Sequence, residues 1–107
     1  MRGAGLPSLS AANTAPALRW RSAPDSEILW VSWNDDYIAY HRPSGKTHFL
    51  NAATFDLLDK VLREPRAVEG SLTELARLRG AEPDPAQRSY MAGLLVRLEQ
   101  LGLVRRV

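Results

Sequence analysis

The sequence predicts an α+β domain built as a three-stranded antiparallel sheet followed by three helices. Two observations carry the prediction. Between Leu18 and Asn51 the apolar residues are mostly β-branched or aromatic, and turn formers cut them into short runs. From Asn51 onward the apolar residues recur at helical spacing, and helix-start and helix-stop residues divide that half in three.

Residues 1–17 ("MRGAGLPSLSAANTAPA") show no period and are expected to be disordered or loosely attached, leaving 18–107 as one ordered domain. "LRWR" (18–21) can add a short strand, with "SAPDSE" as the loop after it. The first main strand is "ILWVSW" (28–33), which ends at the turn-forming "NDD". The second is "YIAYHR" (37–42) and the third is "THFLN" (47–51). Pro43, Ser44 and Gly45 between them make the pair a hairpin.

Asn51 is a good N-cap, and Phe55, Leu58 and Leu62 give the first helix apolar residues at i, i+3 and i+7 until Pro65 ends it. "SLTE" (71–74) reads as a capping box opening the second helix, with Leu72, Leu75 and Ala76 inward and Gly80 as the stop. Asp84 caps the third helix, Pro85 takes its first position and Gln87 stands at N3. Tyr90, Met91, Leu94, Leu95, Leu98 and Leu101 form its apolar stripe. Gly102 terminates it, and "LVRRV" trails off with the makings of a short strand.

A chain of 107 residues has room for one modest core, and 45% hydrophobic with 24% charged residues is the balance of a soluble globular domain. The absence of cysteine excludes disulfides, thiol chemistry and cysteine-ligated zinc, and fits a reducing, cytoplasmic setting. No apolar run approaches the ~18 residues of a membrane helix, and the first residues lack the apolar core of a signal peptide. The net charge is +2, and arginines alternate with glutamates instead of forming a stripe, so specific nucleic-acid binding is not expected.

The hairpin holds both histidines. With the turn centred on Ser44-Gly45, His41 faces His48 across the strands, at a spacing that two zinc ligands could use. Zinc wants three or four protein ligands, however, and the nearest carboxylates, Asp35 and Asp36, stand at the other end of the second strand. A polar pair on a sheet is the better reading, and no metal or cofactor is expected. Asp35 and Asp36 themselves read as turn chemistry, since adjacent turn residues point apart. No nucleophile elbow, Walker loop, Rossmann glycine pattern or H-E-x-x-H appears, so the chain is not expected to be an enzyme. Tyr90 and Met91, at the start of the third helix, suit either a core or an adaptable binding surface.

Taken together, "THFLNAATFDLLDKVL", "SLTELARL" and "MAGLLVRLEQLGLV" resemble the three helices and the strand–Leu-Asn–helix join of PqqD-like proteins. The hairpin "YHRPSGKTHFLN" resembles the subgroup found in systems with an HPr-kinase-related protein. The likeness covers about residues 18–104. Two features depart from the pattern: Thr54-Phe55 where small residues are usual, and a longer "SAPDSE" loop.

The resemblance implies a winged-helix-like, non-catalytic recognition element for ribosomally made, post-translationally modified peptides. Such a domain holds a precursor's leader as an added strand on the third strand, beside the third helix, and presents it to a modifying enzyme. That enzyme would here be an HPr-kinase-related protein of the same system. The implied peptide-binding residues are Thr47, His48, Phe49 and Leu50 of the strand with Tyr90, Met91, Leu94 and Leu95 of the helix. An edge strand beside exposed apolar side chains is independently what β-augmentation needs. The rival readings are a winged-helix DNA-binding regulator and a self-associating subunit, and the oligomeric state, monomer or homodimer, stays open.

Overall fold

The computed structural model describes residues 18–34 and 36–107. The expected loose segment 1–17, and Asp35 of the carboxylate pair, lie outside the described residues. The described chain is α+β, with a three-stranded antiparallel sheet and three α-helices.

The strands are β1 (Trp20–Ser22), β2 (Ile28–Trp33), β3 (Asp36–His41), β4 (Lys46–Leu50) and β5 (Val104–Arg106), and the sheet order is β2-β3-β4. β4 is thus the third strand of the sequence reading. Asn34 opens the turn between β2 and β3 at φ 58°, a left-handed conformation that asparagine tolerates.

The second hairpin differs from the expected one. Its loop is Arg42–Gly45, four residues long, and the register is His41↔Lys46 and Ala39↔His48. His41 and His48 are therefore diagonal neighbours, not opposed. Pro43 cannot take positive φ, so only Gly45, at φ 70°, adopts the left-handed conformation, and its N–H closes the loop onto the His41 carbonyl. Ser44 Oγ lies 2.7 Å from His41 Nδ1 and fastens the loop from inside.

Helix α1 (Ala52–Asp59) starts where expected: Asn51 Oδ1 accepts from the Thr54 amide at 2.8 Å. It stops before Pro65, and a 3₁₀ turn, Val61–Arg63, follows. Helix α2 (Val68–Leu78) begins a turn earlier than predicted, and the capping box does not form. Ser71 is fully buried inside the helix and its hydroxyl donates to the Ala67 carbonyl, while Glu74 pairs with Arg77 one turn on. A hydroxyl that can bond back to i−4 is as satisfied within a helix as at its cap, and burial decided between the two. A 3₁₀ turn, Pro85–Gln87, leads into α3 (Arg88–Gln100), and Asp84 caps the turn through the Ala86 amide.

Both α2 and α3 end in the six-to-one pattern expected at a glycine stop. Ala81 N donates to the Ala76 carbonyl and Leu103 N to the Leu98 carbonyl, with Gly80 and Gly102 at positive φ. The fold has one feature outside the expected order: β1 and β5 pair with each other, forming a separate ribbon that joins the two ends of the described chain. Trp20 and Arg66 exchange backbone bonds beside it.

Strand alternation sends Ile28, Trp30, Tyr37, Ala39, His48 and Leu50 to the helix side of the sheet. There Phe55 of α1 stacks on Tyr37 and meets Trp30 edge-on, at centroid distances of 4.3 and 5.1 Å. The core beneath is Leu57, Leu58, Val61 and Leu62 against Met91, Leu95, Leu98, Leu103 and Val104. Among the described residues no helix is long and apolar enough to cross a membrane.

Candidate functional site

The β4 edge is free of any partner strand among the described residues. Which of its backbone groups face outward follows from one bond. Arg42 N donates to the Glu27 carbonyl at 2.8 Å, so the backbone of Arg42 points at the β2 side. Direction alternates along a strand, so His41, Ala39 and Tyr37 point at β4 and bond to Lys46, His48 and Leu50. Thr47 and Phe49 are left with N–H and C=O groups directed away from the sheet.

β4 runs directly into Asn51, which lines a cleft of about 270 Å³ between the helices. Leu72 and Leu75 of α2 form one wall, and Met91 and Leu94 of α3 the other. Glu82 and Asp84 stand at the rim. Arg79, also at the rim, is tied to Asp56 of α1 at 2.9 Å, which braces α2 against α1.

The other end of β4 is basic. Lys46 and His41 are cross-strand neighbours, His48 is diagonal to His41, and Arg97 of α3 faces them. Burial foremost, then the charges of His41, Lys46 and Arg97, hold the His48 imidazole below its ordinary pKa. Its Nε2 is buried without a hydrogen-bond partner among the described residues. No group of three potential metal ligands occurs among the described residues.

The eight residues singled out in the sequence do not form one surface. Leu94 and Tyr90 reach the cleft, and Tyr90 is exposed. Met91 lines the cleft's α3 wall but is 2% exposed, and Leu95 lies wholly in the core. His48 and Leu50 face the helices, whereas Thr47 and Phe49 carry their side chains on the opposite, open face.

The residues that sequence reasoning missed are Asn51, Ala53 and Thr54 at the start of α1, the α2 wall, and Arg97. Leu72 and Leu75 gave a signal as an apolar stripe, but nothing in a stripe distinguishes a core from a cleft wall. Comparison with protein-family models, with curated proteins and with solved structures returned no match.

Proposed function

We propose that this chain is a PqqD-like, winged-helix-like peptide-recognition domain. It takes the leader of a ribosomally made precursor as a strand added to β4 and hands it, without catalysis of its own, to a modifying enzyme such as an HPr-kinase-related protein. One observation carries the reading: the outward backbone groups of Thr47 and Phe49 lie on a strand that leads straight into a cleft with apolar walls. Backbone bonds along β4 would supply affinity, and the cleft would select a side chain a few residues further along the bound strand. The basic end at Lys46, His48 and Arg97 and the acidic rim at Glu82 and Asp84 would help set the peptide's direction. Arg88, one of only two basic residues on α3, is paired with Glu69, which leaves little of the helix free for DNA phosphates.

The test uses a synthetic leader of a candidate precursor encoded beside this chain, titrated against Phe49→Pro and Leu94→Asp. Proline at 49 removes an outward donor while leaving the β3–β4 bonds intact, so the domain should stay folded by circular dichroism and lose binding. Leu94→Asp should weaken binding by more than ~1 kcal/mol, about fivefold. Wild-type affinity in both folded variants would sink the proposal.

A further inference from the structure

The side of the sheet that faces away from the helices is unusually apolar. Phe49 is 76% exposed there, Trp33 68%, Leu29 46% and Val31 44%, and Tyr40 is also exposed. The register makes them contiguous: Val31, Ile38 and Phe49 form one row across the three strands, and Leu29, Tyr40 and Thr47 form the next. Isolated exposed apolar residues need no explanation, but a continuous sheet face of them marks a contact surface.

Charge indicates what covers it. On β3 the same face runs Asp36, Ile38, Tyr40, and strand alternation continues it to Arg42. An acid and a base thus flank the apolar rows, about 20 Å apart. Neither Asp36 nor Arg42 makes an ion pair among the described residues, whereas most of the other acids do. A two-fold axis lying between two such faces, perpendicular to the strands, sets Asp36 of each copy over Arg42 of the other. It also sets Val31 over Leu29, Ile38 over Tyr40 and Phe49 over Thr47, large against smaller in two of the three pairings. The parallel arrangement would stack Asp36 on Asp36 and is disfavoured.

We propose that this face is a self-association surface, covered in solution by the same face of a second copy with its strands antiparallel to the first. The contact does not use the β4 edge, so it goes beyond peptide recognition and leaves that site open in both copies. Three strands give a face roughly 14 Å wide and 17 Å long. That is roughly 240 Å² of plane on each copy, below the size of a standard stable interface, which makes the dimer weak and reversible.

Sedimentation equilibrium on the full chain, between about 10 µM and about 1 mM, tests this. The wild type should pass from monomer to dimer across that range. Asp36→Arg alone and Arg42→Asp alone should each weaken the dimer by at least about tenfold, because each places like charges together. The double variant, with the charges exchanged, should return to within about threefold of wild type. All substituted side chains are exposed, and circular dichroism confirms that each variant is folded. A wild type that stays monomeric to ~1 mM overturns the proposal in favour of a different partner on this face. A dimer indifferent to both single charge reversals overturns it in favour of edge pairing.

Discussion

Replacing Gly102 by alanine tests the least forgiving point of the fold. Gly102 sits at φ 81°, one residue past the C-cap of α3, and its N–H donates to the Glu99 carbonyl at 3.0 Å. A Cβ placed there would stand 2.7 Å from both Cε1 and Nε2 of His41 and 3.4 Å from its Nδ1. Two costs add. The left-handed conformation costs a residue with a Cβ roughly 1–2 kcal/mol. The second cost is steric, because the atoms in the way belong to a ring, not to the far end of a flexible chain.

That ring is 92% buried, being 8% exposed, and its Nδ1 is hydrogen-bonded with Ser44. Moving it gives up that bond, worth about 1 kcal/mol, and disturbs the β3–β4 loop. The expected destabilisation is therefore about 2–4 kcal/mol, a large share of the 5–15 kcal/mol typical of a domain. Urea unfolding followed by circular dichroism measures it. The companion is His41→Ala, alone and with Gly102→Ala. With the ring gone the clash goes and the backbone strain stays, so the cost of Gly102→Ala should fall to ~1–2 kcal/mol in that background. A cost below ~0.5 kcal/mol in the wild type would refute the geometry. An undiminished cost in the His41→Ala background would refute the steric half of the reasoning.

Asn51→Ala removes the one side-chain cap of α1 and should cost about 1 kcal/mol, with Asn51→Asp recovering most of it; urea midpoints of the three proteins decide. The lowered His48 pKa makes stability depend on pH. The folded state binds the proton less readily than the unfolded one, so stability is full above the ordinary histidine value and is lost as pH falls toward the lower folded value. His41 and Lys46 on the sheet and Arg97 on α3 are the charges that face it, and His48→Gln should flatten the wild-type decline between about pH 7 and pH 5. An identical slope in both proteins would remove His48 as its source. Duplex DNA should bind no tighter than about 10⁻⁴–10⁻⁶ M at physiological salt, and a nanomolar specific site would overturn the peptide reading.

The sequence was most readable where one local interaction decides the structure. Asn51, Gly80 and Gly102 each do one thing that few residues can do, and each stands at the helix end it marks, whereas Asp84 caps the 3₁₀ turn before α3 and not α3 itself. It was least readable where two local interactions compete. "SLTE" offers a cap, yet Ser71 is worth as much bonded to Ala67 inside a buried turn, and only packing separates the two. Ser44-Gly45 offers a two-residue turn, but Pro43 and the Ser44–His41 contact favour a longer loop that shifts the register. The β1–β5 ribbon pairs three-residue strands from the two ends of the described chain, and so short a strand carries no period. The candidate site was half legible. The edge strand and Leu94 could be read from patterns, whereas the cleft needs α1, α2 and α3 to meet, and Leu95 sits on the same stripe as Leu94 but inside it.

Among the described residues the sheet has a second open edge, and it sharpens the case for the first. By the same alternation that turns Thr47 and Phe49 outward, Ile28, Trp30 and Ser32 of β2 direct their backbone groups away from β3. An extended peptide meets similar hydrogen-bonding groups on either side. What differs is where each strand leads. β4 runs into Asn51 and the cleft, with His48 and Arg97 alongside, so a strand bound there continues onto apolar walls and past fixed charges. The cleft's lining begins at Asn51, the residue directly after β4, and includes neither β2 nor the residues flanking it, so a strand on that edge would gain backbone bonds without a pocket to choose its side chains. Proline at Ser32 is therefore the matched control for proline at Phe49: each removes one outward donor from an edge strand, and only the substitution on β4 should abolish recognition. Equal losses from both would mean that the peptide reads the sheet as a whole, and that the cleft beside β4 has no part in selecting it.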